Sequence, residues 1–226
     1  MKILSIDACT DIISLALVNG DNIEEKHFPS GKEYSEKILP EIKTLLNKKK
    51  LKINDIDAIA FGAGPGAFTG IRISCGIAYG IAYSNNLPIV GINTLEALAL
   101  LSEYKYSISC IDARMGQVYL GIYENKNRIV TPLIEPGLFD PSNLPKIPKI
   151  KEAVVIGSGL NFYKEELKNH FSNIKLEYFK KKCSLAVPIG FLAMGQFGNK
   201  FNLKNASPIY IRNKVALTTE ERLGHK

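Results

Sequence analysis

Gly62-Ala63-Gly64-Pro65-Gly66-Ala67-Phe68-Thr69-Gly70 stands between an apolar run, Ile56 to Phe61, and a stretch of small and apolar residues that reaches Ser84. The run reads as a buried strand, and the residues from about Thr69 to Ser84 as a helix joined to it by a tight loop. Strand, glycine-rich loop and helix in that order make the repeating unit of an α/β sheet. Gly64, Gly66 and Thr69 are the loop's candidates for chemistry, because glycines let backbone amides approach an anion while the following helix aims its positive end at it. No Gly-Lys-Ser/Thr follows, so the loop is not a P-loop. The other reading is a crossover whose glycines only permit close packing, and the sequence leaves both open.

Upstream, Lys2 to Ile6, Ile13 to Val18 and Ile23 to Phe28 are β-rich runs. Asn19-Gly20-Asp21-Asn22 is a strong hairpin signal, so three antiparallel strands open the chain. Asp7-Ala8-Cys9-Thr10 lies where the first strand enters its turn. There the Asp7 carboxylate and the Thr10 hydroxyl either hold a phosphate or its magnesium, or satisfy amides of their own turn. From Glu33 the pattern turns helical, with Ile38, Leu39, Ile42, Leu45 and Leu46 at helical spacing and Lys48 to Lys50 at the end that the helix dipole favours. Pro40 predicts a kink or a late start.

Downstream, Leu87 to Gly91 reads as a strand, Thr94 to Glu103 as a helix, and Ser107 to Ile111 and Val118 to Tyr123 as strands. Prolines at 132, 136, 141, 145 and 148 argue for an irregular, extended segment from Pro132 to Ile150, close to a boundary or crossover. Ala153 to Ile156 is then a strand ending in Gly157-Ser158-Gly159. Phe162 to Phe171 and Leu185 to Phe197 are helices, and a charged tail after Thr218 is expected to fray.

A chain of 226 residues buries a core without metal or disulfide staples. Its apolar runs are broken well short of the ~20 residues that a membrane span needs, and the early acid Asp7 is wrong for a signal peptide, so a cytoplasmic location is expected. Cys9, Cys75, Cys110 and Cys183 form no Cys-x-x-Cys pair and read as buried free thiols. His27, His170 and His225 are not at ligand spacing, so neither a metal site nor a cofactor is expected. The net charge of +7 suits an anionic partner such as RNA. The lysine runs at 48–50 and 180–182 nevertheless read as solvated surface, since only Tyr178 and Phe179 adjoin them as stacking aromatics.

Gly64-Pro65-Gly66-Ala67-Phe68-Thr69-Gly70-Ile71-Arg72 resembles the Gly-Pro-Gly-Ser-Phe-Thr-Gly-x-Arg signature of the TsaB family, and Asp7-Ala8-Cys9-Thr10 its Asp-Thr-Ser-Thr. Ile111-Asp112-Ala113-Arg114-Met115-Gly116-Gln117-Val118-Tyr119 resembles its Asp-Ala-Arg block, and Pro208-Ile209-Tyr210-Ile211-Arg212 its C-terminal Pro-x-Tyr-Leu-Arg. The order is kept along nearly the whole chain. Ala67 and Cys9 each stand where serine is usual, and Tyr34-Ser35 where His-Ser is common.

The resemblance implies an α/β, two-lobed fold of the actin, Hsp70 and sugar-kinase type. A first lobe over 1–104 with a returning segment at 204–226, and a second lobe over 105–203, are expected. It also implies a non-catalytic subunit that binds and activates TsaD, its paralogue, in threonylcarbamoyl transfer to adenosine 37 of tRNA. TsaC would make the threonylcarbamoyl-adenylate and TsaE would be a further partner, with tRNA reached only through the complex. TsaD carries a His-x-x-x-His metal pair; the matching places here are Thr94 and Leu98, which cannot replace two imidazoles. Asp7, Thr10, Gly64, Gly66 and Thr69 would then be a vestigial nucleotide loop. The alternative is a metal- or ATP-dependent enzyme of the same fold, a glycoprotease-like hydrolase or a sugar-kinase-like phosphotransferase.

The helix from Thr69 to Ser84 is apolar on two sides: Ile73, Ile77 and Gly80 lie on one, and Ile71, Cys75, Ala78, Tyr79, Ala82 and Tyr83 on the other. One sheet surface cannot bury both. Either the neighbouring helix or second lobe covers the remainder, or a subunit does. The partner surface is therefore expected at Ile38, Ile42, Leu45 and Leu46 of one helix and Ile71, Cys75, Tyr79 and Tyr83 of the other. A homodimer of the isolated chain would use the same patch.

Overall fold

The computed structural model describes residues 1–31, 34–146, 149–196, 201–203 and 206–212. β1 (Lys2–Asp7) and β2 (Ile12–Asn19) are apolar almost without a break, as strands covered on both faces are. β3 (Asn22–Pro29) is mostly exposed and forms an edge. The β2–β3 register runs from Ile12 opposite Pro29 to Asn19 opposite Asn22, leaving Gly20 and Asp21 as a two-residue turn in which Gly20 adopts φ +60°. After α1 (Tyr34–Lys48), β4 (Ala58–Gly64) pairs parallel to β1; after α2 (Phe68–Ser84), β5 (Ile89–Asn93) pairs parallel to β4. The first sheet has the order β3-β2-β1-β4-β5.

The second half repeats this plan. β6 (Tyr106–Asp112), β7 (Val118–Lys126) and β8 (Ile129–Phe139) form an antiparallel meander. β9 (Glu152–Ile156) lies parallel to β6 and, beyond α4 (Leu160–His170), β10 (Lys175–Tyr178) lies parallel to β9. Read from its other edge, the sheet order is β8-β7-β6-β9-β10, which matches the first sheet strand for strand. The repeat is incomplete between β8 and β9, where no counterpart of α1 forms among the described residues.

The helix that follows each sheet packs on the opposite one. α3 (Thr94–Leu101), which leaves β5, contacts β6, β7 and β8, while α5 (Ala186–Gly195), which follows β10, lies across β1, β2 and β4. Together they fill a central core with Ile3, Ala60 and Val90 from one sheet and Ile111, Tyr123 and Ile156 from the other. α5 is fixed by two serines that sequence periodicity does not mark. Ser14 Oγ accepts from the backbone N–H groups of Leu185 (3.1 Å) and Ala186 (3.0 Å), and Ser5 Oγ donates to the Ala186 carbonyl (2.6 Å). α1 and α2 cover the outer face of the first sheet, and α4 that of the second. Of the expected returning segment, residues 206–210 lie against α2 and β4, with the Ile209 N–H bonded to the Ala63 carbonyl at 2.7 Å; residues 213–226, including the tail after Thr218, lie outside the described residues, as do Glu33, Pro148 and Phe197.

Two expectations are corrected. The stretch from Pro132 is not irregular at its start: β8 continues through Pro132 and Pro136 to Phe139. An edge strand can spare the missing donors, and the register against β7 shifts between Leu120 and Tyr123. Nor does Pro40 delay α1, which is helical from Tyr34. The carbonyl that Pro40 leaves without a partner belongs to Glu36, on the exposed side of the helix, where water can bond it.

Candidate functional site

A cleft of about 1420 Å³ opens between the two halves, walled by the β1–β2 turn, the loop before α2 and the C-terminal segment on one side, and by the β6–β7 turn, the start of α4 and the residues after β10 on the other. The glycines at its floor are packing glycines. A Cβ on Gly66 would overlap the Cys9 carbonyl oxygen and one on Gly70 the Ala8 carbonyl oxygen, while the Ala67 N–H donates to Cys9 O at 2.9 Å. The first turn of α2 is thus pressed against the chain's own carbonyls. Gly64, at φ +104°, leaves room for Ile71 and for the Ile209 carbonyl. The start of α4 is built in the same way: a Cβ on Gly157 would overlap the Cys110 carbonyl oxygen, and the Gly159 N–H donates to that oxygen at 3.1 Å.

Asp7 is buried beneath the turn rather than displayed in the cleft. Its Oδ1 accepts the Cys9 N–H at 3.2 Å, and its Oδ2 has no partner among the described residues. Burial, opposed only partly by the hydrogen bonds from Cys9, raises its pKa to about 6. The same burial, with the Asp7 carboxyl adjacent, pushes the Cys9 thiol well above its ordinary value, and its S–H points to the Gly62 carbonyl at 3.1 Å. A thiol held protonated is no nucleophile. Thr10 closes its own turn, donating to Ile12 O at 3.2 Å and accepting the Ile12 N–H at 3.4 Å. Thr69 is exposed on the cleft wall. Thr94 and Leu98 are buried in α3, and no group of three or more His, Cys, Asp or Glu among the described residues could hold a metal.

The expected partner residues divide. Ile38, Ile42, Leu45 and Leu46 are buried against the first sheet, and Ile71 is buried beside Gly64, so these five cannot face a partner while the chain stays folded. The amphipathic stripe of α1 is satisfied inside the molecule. Cys75 is half-covered by the C-terminal segment, its S–H 3.8 Å from the Ala206 carbonyl. Tyr79 and Tyr83 remain outside, 40% and 70% exposed, with stacked rings 6.2 Å apart. Beside them Gly76 and Gly80 border open space, and Leu39 and Ile81 line a shallow groove of about 310 Å³ between α1 and α2.

Sequence reasoning missed how the cleft is finished. The Arg72 guanidinium lies 3.6 Å over the Phe68 ring and its Nε donates to the Tyr210 hydroxyl at 3.1 Å. Arg212 donates to Gln117 Oε1 at 2.5 Å and to the Arg114 carbonyl at 3.3 Å, tying the C-terminal segment to the β6–β7 turn. The motif blocks at Gly64–Arg72, Asp112–Gln117 and Pro208–Arg212 were the available signal, since three blocks far apart in sequence meet at one mouth.

A family model described as TsaD, tRNA N6-adenosine threonylcarbamoyltransferase, matches residues 28–219. The tRNA threonylcarbamoyladenosine biosynthesis protein TsaB of Escherichia coli is 31% identical over 226 residues, covering 96% of each chain. The protein of that name from Buchnera aphidicola is 36% identical over 183 residues, 78% of this chain and 87% of its own. Among solved structures, YeaZ from Pseudomonas aeruginosa superimposes with a TM-score of 0.79 at 22% identity, over 92% of this chain and 99% of that one. The fold is a two-lobed α/β architecture shared with that structure, with a duplicated mixed sheet, outer helices and a cleft between the halves. Within that class, the chain belongs to the TsaB family.

Proposed function

We propose that this chain acts in threonylcarbamoyladenosine synthesis on tRNA as a non-catalytic subunit that docks on a TsaD-type transferase through the outer face of α2. The observation that carries the reading is the Tyr79–Tyr83 stack standing exposed beside Gly76 and Gly80. Exposed aromatics flanked by small residues let a second helix approach closely and supply the kind of anchor that dominates interfaces. Self-association of the isolated chain would use the same strip. The chemistry of the cleft agrees with a supporting role: the two places of the metal-binding imidazoles are Thr94 and Leu98, and the loop glycines serve packing. Weak or absent ATP binding goes with this.

The test is calorimetric titration with the TsaD-type protein of the same organism. Tyr83→Asp and Gly80→Leu, which leave the core untouched, are expected to weaken binding by about 2 kcal/mol or more each. Wild-type affinity in both variants, or ATP hydrolysis or casein cleavage by the chain alone that survives re-purification, would overturn the reading.

A further inference from the structure

We propose that the interlobe cleft binds a short single-stranded RNA segment directly, instead of leaving tRNA wholly to a partner. Lys164, Lys180, Lys181, Lys182, Arg114 and Arg212 line it, against two carboxylates among the described residues, Asp11 and Asp112. Asp112 is already engaged by Arg114, at 3.3 Å, and by the Tyr163 hydroxyl, at 3.2 Å. Among the described residues, none of Lys180, Lys181 and Lys182 lies in an ion pair. The lysine run that reads as plain surface in the sequence is therefore placed by the fold on one wall of a concave, cationic cleft.

The same walls carry exposed rings. Phe68 and Tyr210 are 41% and 47% exposed on one side, and Phe162 is 56% exposed on the other. Unspent charge tracks a phosphate backbone, and ring faces stack unpaired bases; single-stranded nucleic acid is the ligand class that needs both. Arg72 on Phe68 extends that platform. A volume of about 1420 Å³ exceeds the roughly 300–1,000 Å³ of small-molecule sites and suits several nucleotides more than one. The choice of RNA over DNA rests on the tRNA-linked function proposed above.

The experiment is fluorescence anisotropy of a labelled eight-nucleotide uridine RNA with the full chain and no partner, at about 50 and 200 mM salt. Binding that weakens with salt is expected. The double variant Lys180→Glu/Lys182→Glu should lose about tenfold or more with a shallower salt slope, and Phe162→Ala roughly fivefold or more. Lys48→Glu/Lys49→Glu, which carries the same charge change on α1, should stay within about twofold of the wild type. No RNA binding, cleft variants that bind like the wild type, an equal loss in the α1 variant, or equal affinity for a duplex of the same length would each overturn the inference. Partner titration of the cleft variants separates the two readings: retained TsaD binding with lost RNA binding is the expected result. RNA binding without any TsaD binding would overturn the docking role alone.

Discussion

Asp7 ends β1 with one carboxylate oxygen that has no partner among the described residues, and its pKa rises from 3.8 to about 6 because burial disfavours the charged form. The unfolded chain therefore releases this proton first as the pH climbs. The folded state is favoured below about pH 4 and progressively loses stability as the pH rises through about 6, by roughly 3 kcal/mol in total. Asp7→Asn removes the ionisation, so its denaturant midpoint should exceed the wild type's at pH 8 and converge on it near pH 4. A pH-independent difference would refute this. The glycines give a paired prediction at the same scale. Gly70→Ala, whose methyl meets the Ala8 carbonyl, should cost about 3 kcal/mol or more, whereas Gly76→Ala, in open space within α2, should stabilise the isolated chain by about 0.5–1 kcal/mol by thermal melting. Sequence placed Asp7 at a strand end and the glycines in a loop between a strand and a helix, with anion binding and close packing both open. What it could not show was which backbone passes over them, because the Ala8 and Cys9 carbonyls reach the loop only through the pairing of β1 with β4.

At the scale of elements, periodicity found α1 and its buried face correctly but gave that face to a partner. A helix stripe records only that something covers it, and here the covering is the first sheet. On α2, Ala78 and Ala82 fill the sheet contact, while Tyr79 and Tyr83 stay exposed. β10 escaped notice because Lys175–Tyr178 alternates charge with half-buried side chains, as a short edge strand does. Ser14 was invisible as well, being one polar residue within an apolar strand. Its hydroxyl holds the start of α5, so Ser14→Ala, which leaves the N–H groups of Leu185 and Ala186 without an acceptor, should destabilise by about 2 kcal/mol in urea titrations. Ser14→Thr, which restores the oxygen, tests whether the hydroxyl rather than the volume is responsible.

Across the whole molecule, the three opening strands, the strand and helix alternation and the family motifs were enough to reach the fold. The duplication was harder to read, since β8 hides behind its prolines and, among the described residues, the stretch between β8 and β9 has no helix to match α1. The exchange of α3 and α5 was not legible at all, for it is a statement about which sheet a helix lies on and not about where the helix is. Its test is division of the chain. Residues 1–104 alone should show no cooperative thermal transition, because the Ile3, Ala60 and Val90 face has lost α5, and mixing with residues 105–226 should restore one. A sharp transition in the first fragment by itself would show that the exchange is incidental to stability.

That exchange also has a bearing on how the chain comes off the ribosome. The last strand of the first sheet is complete at Asn93, yet its covering helix ends at Gly195, about a hundred residues later. At roughly 5–20 residues per second, a sticky inner sheet face stays uncovered on the nascent chain for something on the order of 5–20 seconds. A holding chaperone has that interval in which to act, and mutations that weaken α5 should show first as poor soluble yield at high expression rates.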